Sequence, residues 1–286
     1  MPLPTLADPS LQLLLNEDAP YGDLTTDALG IGSEQGEMLF VARQAMVVCC
    51  TEEAARLFEL SGATATVHTG AASAVAPGAQ LLSARGSAAA LLLAWKVAQN
   101  LVEWTSGIAS AAARLVAAVR ATGLKVPVAC TRKAFPGTHY LSSKAVVAGG
   151  ATLHRFGLSE SVLVFPEHRV FLQPSETEWL SALRERERER RLTVEVTTIE
   201  QACAFAANGA EALQLEHFSA PNVAECKAAL HTRGLHPLLL AAGGVNESNA
   251  AAYARAGADV LVSSAPYQAA PADVKVTVRR VSEVER

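Results

Sequence analysis

The chain has no excess of basic charge. Its formal balance of −4 excludes nucleic-acid binding through general basicity, while leaving room for a local basic pocket. It also has no Cys-x-x-Cys pair and no Cys/His ligand spacing among Cys49, Cys50, Cys130, Cys203 and Cys226, which removes the usual zinc frameworks. An odd number of cysteines, two of them adjacent, fits buried reduced thiols and a cytoplasmic protein. The longest apolar run, residues 88–95, is too short to cross a bilayer, so no membrane partner is expected. The opening MPLPTLADPS has no basic segment followed by an apolar core, and no secretory signal is read there. Aromatic residues are only 5% of the chain, and the abundant alanine in their place suits helices packed closely on a sheet.

Core material, by contrast, is plentiful. Half of the 286 residues are hydrophobic, enough for one large α/β domain or a smaller domain joined to one. The first third predicts a small α+β layer. A short amphipathic helix over 9–16 is followed by a polar turn from Tyr21 to Thr26 and by two strand-like runs in GEMLFVARQAMVVCC. A helix from Glu53 to Leu60 closes at Gly62, and TATVHTG and AQLLSARG read as strands around a Pro77-Gly78 turn. From Ser87 to Val119 the composition is helical, and Gly107 predicts a division, with Thr105 and Ser106 as caps of a second helix.

Beyond Lys125 short apolar runs alternate with helical patterns, and Thr198 and Gln201 have the spacing of a capping box. Strands near 193, 212, 237 and 259 recur at about one βα unit each, which predicts a parallel sheet in a barrel or doubly wound arrangement. The run Arg184–Arg191 reads as a solvated helix face on which Arg184 meets Glu187.

Polar residues gather where the strands end. VPVAC leads to Arg132 and Lys133, LHRFG carries His154 and Arg155, and SVLVF leads to Glu167 and His168. TVEV contains Glu195, EALQL leads to Glu216, PLLLAA to Gly243-Gly244 and DVLV to Ser263-Ser264. In parallel barrels the active site lies at the C-terminal ends of the strands, with phosphate often held by the last two loops. Arginine forks and a lysine suit carboxylates and phosphates. Carboxylates such as Glu195 and Glu216 beside a polyphosphate commonly hold Mg²⁺. These features indicate an enzyme that handles a phosphorylated substrate and a second, small anion.

The segments TRKAFPG, AVVAGGATLHRFGL, VEVTTIEQACAFAANGAEALQLEHFS and AAGGVN resemble quinolinate phosphoribosyltransferase, the nicotinate-nucleotide pyrophosphorylase (carboxylating) family. GDLTT and SGIAS match it too. TRKA, VLVFPEHRVFL and the ending SSAPYQAAPADVKV look closer to its ModD branch, linked to molybdenum-transport operons. The resemblance implies an N-terminal α/β sandwich over 1–107, an incomplete TIM-like α/β barrel over 108–267, and a return of 268–286 to the first domain. This is the type II phosphoribosyltransferase architecture. It further implies a homodimer with shared active sites that uses phosphoribosyl pyrophosphate (PRPP) and Mg²⁺.

Carried over residue by residue, Arg132, Lys133, His154 and Arg155 match the pocket for the acceptor and PRPP, and His168 is a retained substrate contact. Lys133, Glu195 and Glu216 take the catalytic places, the two glutamates also as metal ligands. Gly243, Gly244, Ser263 and Ser264 take the phosphate places, and Lys96 that of an arginine supplied by the neighbouring subunit. The sequence departs from the family at Phe165, Pro166 and Glu167, where the family has lysine, aspartate and asparagine, and at Leu240, where it has glutamate. A further family lysine aligns with Ser143, next to Lys144. The departures imply a ModD-like transferase acting on a pyridine-carboxylate-like acceptor, less anionic or differently shaped than quinolinate. The alternatives are a true quinolinate enzyme of NAD biosynthesis, a non-catalytic anion or metabolite binder linked to molybdate handling, and an aldolase using Lys133.

Overall fold

The computed structural model describes residues 5–172 and 178–281. In chain order its elements begin with α1 (Asp8–Asp18), α2 (Leu24–Leu29), β1 (Gln35–Ala42), β2 (Met46–Val47) and α3 (Thr51–Leu60). Next come β3 (Thr64–Val67), β4 (Ala74–Val75), β5 (Gln80–Ser87) and the long helix α4 (Ala88–Arg120). The alternating part opens with β6 (Val128–Cys130), α5 (His139–Ala148), β7 (Thr152–Leu153), β8 (Val162–Val164), α6 (Pro166–Arg169) and α7 (Glu178–Arg186). It continues with β9 (Leu192–Val196), α8 (Ile199–Ala207), β10 (Ala212–Glu216), α9 (Ala220–Thr232) and β11 (Leu238–Ala242). Last are α10 (Ala250–Arg255), β12 (Val260–Ser263) and β13 (Val274–Arg280).

The chain forms two compact units. The first gathers the residues up to Ala113, Phe135–Gly150 and the segment from Tyr267 onward. Its main sheet has the order β13-β1-β5-β3 and is antiparallel throughout. Along β1, Met38, Phe40 and Ala42 are buried at alternate positions, as a strand with one core face requires. Phe40 meets Phe58 of α3 edge-on, with ring centroids 5.8 Å apart. The C-terminal strand β13 runs alongside β1, from Gly36 opposite Arg280 to Ala42 opposite Val274.

Two expectations for this unit are corrected. The polar turn at Tyr21–Thr26 contains a helix start: Asp23 accepts from the Thr25 and Thr26 amides at 3.0 and 3.3 Å, and α2 begins at Leu24. At Gly107 α4 runs on unbroken. Thr105 donates back to the Leu101 carbonyl at 2.6 Å, and Ser106 accepts from the Cys49 amide at 3.0 Å, so neither caps a new helix. Glycine is needed there for a different reason, because a Cβ would sit 2.3 Å from the Ala270 carbonyl oxygen.

The second unit, Arg114–Ala134 with Ala151–Pro266, is built on a seven-stranded sheet of order β7-β6-β12-β11-β10-β9-β8. Its paired strands are parallel, and it forms the expected incomplete barrel. The charged run departs from expectation. α7 stops at Arg186, so Arg184 reaches instead to Glu211 at 3.0 Å and the Gly209 carbonyl at 2.7 Å, while Glu187 pairs with Arg190. At α8, Thr198 caps the Gln201 amide, but the Gln201 side chain reaches back to Thr197, one residue before the expected partner.

Candidate active site

Register in the second unit decides which side chains share a face, because residues paired across parallel strands point the same way. Gln214 stands between Glu195 on β9 and Leu240 on β11, and Glu216 lies beside Ala242. Leu163 pairs with Thr193, so one alternation further on, Phe165 comes out on the side of Glu195. On the other flank Val262 pairs with Ala129 and Ala129 with Thr152, which places Thr131 and His154 on that face at the strand ends. Ala212, Leu240, Ala242 and Val262 form its buried apolar floor.

The acidic side of this face is wired through one amide. Gln214 Nε2 donates to Glu195 Oε2 at 2.6 Å and to Glu216 Oε2 at 3.4 Å. Its carbonyl oxygen is buried and has no partner among the described residues. Burial pushes the Glu195 carboxyl above its ordinary value, and Glu216 and Glu167 push the same way, while the Gln214 hydrogen bond and Lys133 oppose them. A mid-strand glutamine between two glutamates is a functional candidate that the sequence reading passed over. Its only sequence signal is a polar residue inside the otherwise apolar strand ALQL.

The basic side is different in kind. Arg155 is only 6% exposed, yet among the described residues no carboxylate or carbonyl accepts from its guanidinium. Its contact is the Phe165 ring, 5.4 Å from Cζ to centroid. Burial, helped by repulsion from Arg132, holds the guanidinium below its ordinary value. A buried cation without a counter-charge is costly and marks a place where an anion belongs. His154, expected within the cationic pocket, is pushed down to about 4 by burial and then by Arg155, so it is a neutral imidazole at physiological pH. Arg132 and Lys133 are exposed, and Lys133 acts on Glu195 through its charge.

His168 lies on α6, where its Nδ1 accepts the Phe165 amide at 2.9 Å and its ring stacks on Phe165 at 5.6 Å. With Nδ1 accepting, the ring's donor nitrogen is Nε2. Arg169, also unnoticed in the sequence, fixes α6 by reaching the Glu195 carbonyl at 3.5 Å and lying 4.9 Å over the Phe205 ring.

Gly243 and Gly244 both have left-handed backbones, at φ 81° and 85°. A Cβ on Gly243 would meet the His217 amide nitrogen at 2.7 Å, whereas one on Gly244 would meet open space. The first glycine thus admits the neighbouring strand end, and the second has an open side for a ligand. The next helix, α10, starts only at Ala250, because Asn246 and Asn249 both donate to the Gly244 carbonyl and order a turn between. Ser263 is buried and donates to the Val245 carbonyl at 2.5 Å, so it braces this turn from behind. Ser264, one residue on, is half-buried at the end of β12 on the open face.

The remaining sequence candidates belong to the first unit. Lys96 is exposed on α4, 4.2 Å over the Trp95 ring and 3.2 Å from Gln99 Oε1. Lys144 is no substitute for a substrate lysine at Ser143. It is buried, with both Glu53 carboxylate oxygens at 2.6 and 2.7 Å.

Comparison with known proteins adds the lineage. Residues 23–106 match the model of the quinolinate phosphoribosyl transferase N-terminal domain, and residues 108–277 that of the C-terminal domain. The ModD protein of Rhodobacter capsulatus is 49% identical over 253 residues, covering 87% of this chain and 96% of its own. The nicotinate-nucleotide pyrophosphorylase [carboxylating] of Mycobacterium leprae is 32% identical over 264 residues, 90% of this chain and 91% of its own. In fold, the nicotinate-nucleotide pyrophosphorylase structure from Ehrlichia chaffeensis superposes with a TM-score of 0.88 over 96% of this chain and 100% of its own, at 23% identity.

Proposed function

The chain belongs to the quinolinate phosphoribosyl transferase family, and from that premise we propose that it moves the phosphoribosyl group of PRPP onto a ring nitrogen of a pyridine-carboxylate-like acceptor, releasing pyrophosphate. The observation that carries this reading is a buried Arg155, without an ion-pair partner among the described residues, held against the Phe165 ring on the side of the sheet that carries the Glu195–Gln214–Glu216 cluster. One half asks for an anion and the other for a cation, which is the demand of an anionic acceptor next to a metal-bound polyphosphate.

The reaction asks the protein mainly for placement. The C1–oxygen bond to pyrophosphate breaks, positive charge builds on the ribose, and the acceptor nitrogen closes on C1. Arg132 and Lys133 are exposed at the end of β6, where they can take phosphate oxygens, and the open side of Gly244 suits a further phosphate group. Arg155 orients the acceptor through its carboxylate. Neutral His154 serves as a hydrogen-bond partner rather than a charge, and His168 offers its Nε2–H.

The donor set of Glu195 and Glu216 fits Mg²⁺. Among the described residues no three histidine, cysteine or carboxylate side chains converge into a closed metal cage. Two carboxylates with substrate oxygens and water are the usual arrangement for this ion. When bound there, Mg²⁺ offsets charge on the leaving pyrophosphate. In this reading the protein works in the cytoplasm as a homodimer, with exposed Lys96 presented to a second copy. Among the described residues no helix is long and apolar enough to cross a membrane.

A second reading, the decarboxylating quinolinate reaction of NAD biosynthesis, is favoured by the similarity to the Mycobacterium leprae protein. The purified protein should bind PRPP by calorimetry and release pyrophosphate with Mg²⁺ and a pyridine carboxylate. Absence of PRPP binding, together with no turnover across an acceptor panel, would sink the proposal.

A further inference from the structure

We propose that Phe165 and Arg155 form an acceptor subsite that selects a flat aromatic nitrogen heterocycle bearing a single carboxylate. The inference rests on the transferase reading above and names its substrate class. Among the described residues Arg155 is the only buried cation on the open face, and the Phe165 ring covers it at 5.4 Å, so it offers one guanidinium fork to one carboxylate. Among the described residues a second carboxylate on the ring has no comparable buried cation to meet. One direction from Arg155 leads to the Phe165 and His168 ring pair, stacked at 17° with centroids 5.6 Å apart. The next strands present Glu195 and Glu216, with Glu167 close enough to act on Glu195, and like charges repel. Beyond them the face is apolar, with Leu240, Ala242 and Val262. Arg132 and Lys133 are exposed, and the phosphates of PRPP have first demand on them.

With such an acceptor the step balances without loss of carbon dioxide. The lone pair of the ring nitrogen forms the bond to C1 of the phosphoribosyl group. The electrons of the C1–oxygen bond leave with pyrophosphate, and the product is a pyridinium that keeps its carboxylate.

The test measures pyrophosphate release and carbon dioxide release with PRPP, Mg²⁺ and, separately, nicotinate, picolinate, quinolinate and nicotinamide. A monocarboxylate should exceed quinolinate in kcat/KM by about tenfold or more, the worth of one unmet charged hydrogen bond, with no carbon dioxide formed. Nicotinamide, lacking the charge, should fall behind by a similar factor. Phe165→Lys should reverse the preference toward quinolinate, and Phe165→Leu should keep it while raising KM for the acceptor. A cooperative melting transition shows that each variant is folded. Preference of the unaltered protein for quinolinate, with one carbon dioxide per turnover, would overturn the subsite while leaving the transferase reading intact. Failure to bind PRPP at all would overturn both.

Discussion

Gln214 joins Glu195 and Glu216 by a single amide, and its own carbonyl is buried without a partner among the described residues. A group in that position does two things. It holds the carboxylates in a fixed relation, and its donated hydrogen bond favours the ionised form of Glu195 against the burial that disfavours it. Gln214→Met keeps the volume and removes the donor, so the Glu195 carboxyl should rise further. If ionised Glu195 is needed for Mg²⁺, activity should then be lost at a higher pH on the acidic side. The profile of kcat/KM against pH should show that limb displaced upward, with the alkaline side unchanged, and the variant should need more Mg²⁺ for half-maximal rate. An unmoved acidic limb would mean that Gln214 only fills space. The glutamates were legible in the sequence because they end strands that carry polar residues, but their connection was not. Strand pairing decides that Gln214 faces Glu195, and pairing is a property of the folded sheet.

Helices α3 and α5 of the first unit meet through a buried ion pair, Glu53 with Lys144, both at most 3% exposed. The exchange of one partner strands a charge. Lys144→Met should destabilise by about 3–5 kcal/mol, because Glu53 is left buried without its counter-ion. Adding Glu53→Met should recover most of that loss, and a double-mutant cycle in urea would measure the recovery. Additive losses would show that the two side chains act separately. The same pair shows where element-level reading succeeds and where it stops. The helix carrying Lys144 lies in the stretch beyond Lys125 where helical patterns alternate with apolar runs, and the one carrying Glu53 was legible from its closure at Gly62. That Lys144 turns away from any substrate role was not, since the partner is 91 residues away in sequence. Gly107 misled for a related reason. A glycine in a helical run signals a break only when no other backbone needs the space, and here the Ala270 carbonyl does.

The whole molecule adds a question that no single chain answers. Lys96 is exposed on α4 in the first unit, whereas Arg155, Glu195, Gln214 and Glu216 belong to the second. If Lys96 serves the site of a second copy, a site draws residues from two chains, and the arrangement follows from twofold symmetry. Lys96→Ala should then lower turnover with PRPP while leaving the protein as stable as before, because its partners Gln99 and the Trp95 ring are local. Glu195→Gln should be inactive for its own reason. Subunits of the two variants, mixed after reversible dissociation, form hybrids in which one site holds both defects and the other neither. Random reassociation should restore about a quarter of unaltered activity, since about half of the dimers are hybrids with one intact site each. Sites made wholly within one chain would give no restoration, and each variant would only dilute the other. The mixing experiment therefore distinguishes a shared site from a self-contained one.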